Sequence, residues 1–203
     1  MRKLLSLLLL SGALGAQAAP AKKVEILYDL MHNGGSAVAE VSVRLEHDGK
    51  TYRLQENWKG KGVYALRGEA KRSSRGSIGP EGLRPEEFEE ERPRRDPRRG
   101  KPEAKGQDRL SILWHFAFVP PTRTATIMVF DGKGQSKHVY EPAGRERVKT
   151  PAGDFNALKL VRKDDDKSAE VWLAQEKGNV PVRVVVTEKD GTKMEMVAAR
   201  IVP

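Results

Sequence analysis

The sequence predicts a mainly β, single-domain protein: a strongly curved antiparallel sheet or open barrel, with one short helical or irregular segment covering it. Three observations lead there. Apolar and polar residues alternate over many short segments, the period of a sheet with one buried and one wet face. Tight turns such as Asp48-Gly49, Asp131-Gly132 and Asp190-Gly191 close these segments, leaving connections too short for parallel crossovers. One apolar stretch, Leu110 to Val119, breaks the alternation. A β-sandwich is the competing arrangement.

The first strand is KVEILYDLM from Lys23. The next, Ala37 to Glu46, alternates Val41, Val43 and Leu45 against Ser42, Arg44 and Glu46. Thr51 to Trp58 follows the Asp48-Gly49 turn, and Gly60 with Gly62 precedes a short strand at Val63 to Arg67. Beyond it, Ser73 to Gly82 is rich in Ser and Gly, and Arg84 to Phe88 reads as a single acidic helical turn. RPRRDPRRGKPEAKGQDR then holds eight basic residues, three acidic residues and three prolines. Prolines at that density interrupt helix and central strand alike, so an exposed charged loop is expected over about 84–107. The five acids between Glu86 and Glu91 neutralise this basic run in solvent or leave it as an anionic docking surface. Asp108 is placed to cap the covering segment, which Pro120 and Pro121 end. Strands resume at TATIMVFDGKGQSKHVYEP and continue to the end of the chain, about nine in all.

The N-terminus reads as a secretory signal over residues 1–18. Arg2 and Lys3 precede the apolar run Leu4 to Leu10, and Ala16 and Ala18 form an A-x-A cleavage site. An uncleaved anchor is the alternative, but this span falls short of the roughly 20 apolar residues of a stable crossing. Removing 18 of 203 residues leaves 185, enough for one core, with 35 basic against 28 acidic residues and a formal charge of +7. No cysteine is present, so lipidation at cysteine and disulfides are both excluded. The expected address is the periplasm, with no stable membrane span after cleavage and with anionic partners favoured. Nucleic acid is not expected, since the chain is exported and carries no recognisable reader motif.

No pattern points to catalysis or to a cofactor. His32, His47, His115 and His138 lack metal-ligand spacing. VFDGKGQS and the Asp164–Asp166 tip do not supply a calcium loop, and GSIGPEG lacks the Gly-Lys-Ser/Thr ending of a phosphate loop. There is no G-x-S-x-G elbow. A curved sheet does offer a concave surface lined by alternate residues, and Trp58, Tyr64, Trp114, Phe116, Phe130, Tyr140, Phe155 and Trp172 are its candidate wall residues. Filling the core is their other role.

GPEGLRPEEF (Gly79–Phe88), DRLSILW (Asp108–Trp114), VFDGKG (Val129–Gly134), TPAGDFNALKL (Thr150–Leu160), VWLAQEKGNVPVRV (Val171–Val184) and EKDGT (Glu188–Thr192) occur in order. In these pieces the chain resembles a bacterial envelope family, the domain-of-unknown-function family 3108. The resemblance implies an exported, largely β protein and carries no catalytic residue with it. The matching positions have structural explanations: Gly153 permits a turn closed to bulkier residues, and Asp108 and Thr150 bond to backbone groups. The expected function is binding of a lipid or other amphiphilic envelope ligand in an apolar groove. The alternative is a non-enzymatic envelope scaffold that binds a protein partner.

Overall fold

The computed structural model describes residues 19–164 and 167–203. The expected signal peptide lies outside the described residues, as do Asp165 and Asp166 of the predicted hairpin tip. Among the described residues the chain runs β1 (Lys23–His32), β2 (Ala37–His47), β3 (Thr51–Gly60), a 3₁₀ turn (Gly62–Arg67), β4 (Ala70–Gly79), β5 (Gly82–Arg92), β6 (Arg95–Gly100) and β7 (Gln107–Asp108). It continues through α1 (Ser111–Phe118), β8 (Ala125–Phe130), β9 (Gln135–Thr150), β10 (Gly153–Lys163), β11 (Lys167–Ala174), a second 3₁₀ turn (Gln175–Lys177), β12 (Val180–Glu188) and β13 (Lys193–Val202).

All these strands belong to one sheet of order β6-β5-β4-β3-β2-β1-β13-β12-β11-β10-β9-β8-β7. Neighbours pair antiparallel except β7 and β8, which are parallel. The expectation of a strongly curved sheet or open barrel is therefore corrected. The sheet is neither closed nor strongly curled: β6 pairs only with β5 and β7 only with β8. Closure requires two end strands that offer each other continuous rows of donors and acceptors. β7 is two residues long and β6 contains Pro97, so neither end can do so. The mainly β single domain and its one short helix stand.

Two further expectations are overturned. The segment 84–107 is not an exposed loop, because most of it forms β5 and β6, with Leu83, Phe88 and Glu90 buried on the inner side. Its prolines fall where a strand tolerates them. Pro85 sits beside the register shift between Arg75 and Gly76, and Pro97 lies in the edge strand, next to the shift between Glu90 and Arg92. Val63 to Arg67 is a 3₁₀ turn rather than a strand.

Alternation places Val24, Ile26, Tyr28 and Leu30 of β1 and Val41, Val43 and Leu45 of β2 in the larger of two buried clusters. The smaller contains Val129, Tyr140, Leu160, Val171, Leu173 and Val184. Helix α1 wedges between them. Leu110 and Trp114 join the larger cluster, Ile112 and Phe116 the smaller, each pair four residues apart and so on one face of a helical turn. A chain of buried polar groups fixes this wedge. Tyr52 donates to Ser74 Oγ (2.9 Å), which donates to Asp108 Oδ2 (2.5 Å). Asp108 Oδ1 accepts from the backbone N–H groups of Leu110 (2.9 Å) and Ser111 (2.7 Å), the capping role expected of it.

Candidate functional site

The site begins with register. On one side of the sheet, cross-strand partners form the row His32, Met194, Val186, Ala169, Arg162, Tyr140. Beside it runs a second row: Ala39, Leu30, Met196, Val184, Val171, Leu160. Neighbouring strands lie about 4.8 Å apart, so the five steps from His32 to Tyr140 make a floor of about 24 Å. Two cavities stand on it. One, about 410 Å³, is lined by Leu30, His32, Val38, Trp58, Tyr64 and Met194, among others. The other, about 750 Å³, is lined by Ile112, Leu113, Tyr140, Val171, Val184, Val186 and a set of charged groups. Met194 lines the first and Val186 the second, and the two are paired across the strands. The cavities therefore occupy adjoining lengths of one trough.

The charged groups of the larger cavity are Arg109, Lys137, Arg162 and Lys167 against Asp131, Asp164 and Glu188. Arg162 is buried, with Nη1 2.8 Å from His138 Nδ1 and Nε 3.1 Å from Asp164 Oδ2. A guanidinium only donates, so His138 Nδ1 accepts and its proton sits on Nε2, 3.1 Å from Ser136 Oγ. Burial, and then the Arg162 charge, pull His138 down to about 4, which keeps this imidazole neutral. Burial raises the Tyr140 hydroxyl. Desolvation would raise Asp131 too, but the backbone N–H groups of Gly134 and Lys133, with Arg98 and Arg109, hold it low.

Arg109 joins the trough to a second group of charges. Glu90 is fully buried and lies within 2.7 Å of both Arg72 and Arg92, 3.4 Å of Arg109 and 3.5 Å of Arg98. Arg72 also bonds to Glu56 at 2.6 Å and packs its guanidinium 5.3 Å from the Trp58 ring. Burial alone would raise Glu90, yet the arginines, Arg72 first, lower it. Burial and then Arg72 pull Arg109 down.

The predicted wall residues divide. Trp58 and Tyr64 meet in the smaller cavity, and the buried Trp58 Nε1 has no acceptor among the described residues. Tyr140 lines the larger cavity, and Phe116 packs edge-to-face against it at 5.0 Å. Trp114 and Phe155 lie in the larger buried cluster. Phe130 packs on Phe88 at 6.1 Å. Trp172 donates to Glu146 Oε1 at 2.5 Å, beneath the cations of Lys159 and Arg183 at 4.8 Å each. None of these four lines either cavity. Met194, Val186, Ala169, Arg162 and His138 were not singled out as wall residues. Their only sequence signal is alternation on β9 to β13, visible once the register is known. Among the described residues no cluster of His, Asp and Glu could hold a metal ion, and no helix is long and apolar enough to cross a membrane.

Fold and trough together define an open-sheet β domain in which helix α1 leaves an apolar-floored cleft beside it. The chain belongs to the family of proteins of unknown function DUF3108, whose model matches residues 90–197, more than half of the sequence. The stretch from Gly79 to Phe88 lies outside that match. No curated protein matches the chain. Among solved structures, a "putative lipoprotein" from Parabacteroides distasonis is 10% identical, with 91% of this chain and 97% of that one covered at a TM-score of 0.47. A "putative exported protein with YmcC-like fold" from Bacteroides fragilis is 11% identical, covering 91% and 98% at 0.45. The hypothetical protein CT021 from Chlamydia trachomatis is 9% identical, covering 86% and 88% at 0.37.

Proposed function

We propose that this is an exported protein of the bacterial cell envelope that reversibly binds an amphiphile with an anionic headgroup in the trough. The observation that carries this reading is the aliphatic floor running unbroken between the two cavities. Within the trough of about 24 Å, the aliphatic run Met194, Val186 and Ala169 spans two strand steps, about 10 Å, and the larger cavity falls within the usual size range of ligand sites. A hydrocarbon chain laid on Met194, Val186 and Val184 leaves water at about 0.8 kcal/mol per buried methylene, before ordering costs. Lys137, Lys167 and Arg109 then face the headgroup. Binding of this kind needs no catalytic residue. The N-terminal basic-apolar-small pattern of residues 1–18 supports the envelope address.

Native mass spectrometry of the protein isolated from its own cells tests the proposal. A stoichiometric amphiphile is expected, and it is lost in Val186→Arg, which places a charge on the floor while circular dichroism remains native. A ligand-free wild type that also takes up no lysophosphatidylglycerol, or a Val186→Arg protein that keeps the adduct, would overturn it.

A further inference from the structure

The cations that line the larger cavity are not equally spent. Arg162 lies 3.1 Å from Asp164 and Lys167 lies 2.9 Å from Glu188, so each faces the cavity as half of an ion pair. Lys137 stands exposed on β9, where water screens its charge. Arg109 is different. Its one ion-pair partner among the described residues is Glu90, at 3.4 Å. Both oxygens of Glu90 already hold shorter contacts, Oε1 with Arg72 and Oε2 with Arg92, each at 2.7 Å, and Arg98 reaches the same carboxylate only at 3.5 Å.

The charges packed around Arg109 are Glu56 on β3, Arg72 on β4, Glu90 and Arg92 on β5, Arg98 on β6 and Asp131 after β8. The carboxylates of Glu56, Glu90 and Asp131 balance Arg72, Arg92 and Arg98, which leaves Arg109 with no carboxylate of its own. Asp108, its neighbour in the chain, is turned to Ser74 and to the N–H groups of Leu110 and Ser111. Burial and then Arg72 outweigh Glu90 and Glu56 in pulling Arg109 below its usual range, the direction of a cation short of counter-charge. A guanidinium presents a planar fork of N–H donors, and the Glu90 contact, longer than an ordinary hydrogen bond, occupies only one arm of it. The backbone holds the fork in place, since the Arg109 N–H donates to the Phe130 carbonyl at 3.0 Å.

We propose that Arg109 is the residue that reads the ligand's headgroup, taking through its free donors an oxyanion, phosphate or carboxylate, that carries no cation of its own. Two parallel N–H···O bonds to such a group give direction as well as charge. A zwitterionic headgroup gains less, because its negative charge is already balanced within the molecule. The assignment rests on the trough reading and narrows it: the pairs of Arg162 and Lys167 stay closed, and discrimination falls to one side chain.

The test is isothermal titration calorimetry of the purified protein, stripped of bound amphiphile, with dodecyl phosphate, dodecanoate and dodecylphosphocholine below their micellar concentrations. These share one chain and differ in headgroup. Wild type is expected to bind at least one of the two anions about tenfold more tightly than dodecylphosphocholine, and the tighter anion names the oxyanion that the ligand carries. Arg109→Gln is expected to erase that preference and Lys167→Gln to cost about twofold of it. Arg109→Lys, which keeps the charge the cluster is built around, guards against a folding defect and is expected to lose about threefold, because the fork is gone. An undiminished preference in Arg109→Gln with native circular dichroism, an equal loss in Lys167→Gln, or equal binding of all three amphiphiles by wild type would each overturn the assignment and leave the trough reading in place. A wild type that binds none of the three would sink the trough reading, and the assignment with it.

Discussion

The inner side of the sheet is built two ways. Across β3 to β6 its inward groups include Glu56, Arg72, Glu90 and Arg98, and the space among them is taken up by ion pairs 2.6 to 3.5 Å long. Across β9 to β13 the corresponding positions include Tyr140, Val171, Val184 and Met194, and open volume remains above them. The contrast teaches which region can yield to a ligand. Each carboxylate of the ionic region is already committed to a guanidinium, and displacing one strands a buried charge. In the aliphatic region a hydrocarbon guest displaces only water.

The comparison breaks most readily at Glu90. Glu90→Ala leaves four arginines around an empty position, and urea denaturation is expected to show a loss of about 3–5 kcal/mol. A loss below about 1 kcal/mol would mean the cluster is solvated rather than structural. Next comes the polar chain beneath the helix. Asp108→Ala orphans the N–H groups of Leu110 and Ser111 and the Ser74 hydroxyl, at an expected cost of about 2–3 kcal/mol. If α1 tolerates this change, the helix is held by its apolar faces alone.

A pH experiment sharpens the contrast by a smaller margin. His138 and His115 are both held near 4 chiefly by burial, whereas unfolded histidine titrates near 6.5. Between those values the unfolded chain binds more protons, so stability is present above about pH 6.5 and is lost as pH falls toward 4. Asp108, raised by burial, acts in the opposite sense. The readout is therefore the difference between proteins: Tm of wild type is expected to fall more between pH 7 and pH 5 than Tm of the His115→Asn/His138→Asn variant. Parallel profiles would contradict the neutral, partly buried imidazoles. The smallest effect belongs to the outer face, where Arg75 pairs with Glu87 in solvent. Arg75→Ala is expected to change stability by less than about 0.5 kcal/mol.

The two regions were also unequally legible. On β2 the order Val41, Arg44, Leu45 is enough to assign faces, because burial there follows hydropathy. On β5 and β6 some inward positions are themselves charged, so Glu90 and Arg98 interrupt the alternation that would have marked a strand, and Pro93 and Pro97 suggest a loop. What makes these strands is the pairing of Glu90 with Arg72, eighteen residues away, which no local pattern encodes. The trough was harder still to read. Large aromatics drew attention as wall residues, but its floor is mostly aliphatic and comes from strands whose registers are set by one another. Trp172, the most conspicuous aromatic of β11, is covered by two cations, while its modest neighbours Val171 and Ala169 line the cavity.

An open sheet leaves rows of backbone donors and acceptors at its ends, and β6 is one of those ends. Along six residues it carries Arg95, Arg98 and Arg99 against the single acid Asp96, with a proline that lacks a donor. A strand from another molecule meets repulsion and a missing hydrogen bond there, the means by which edge strands resist fibre growth. The composition that makes this segment look unstructured is what guards one free end of an unclosed sheet.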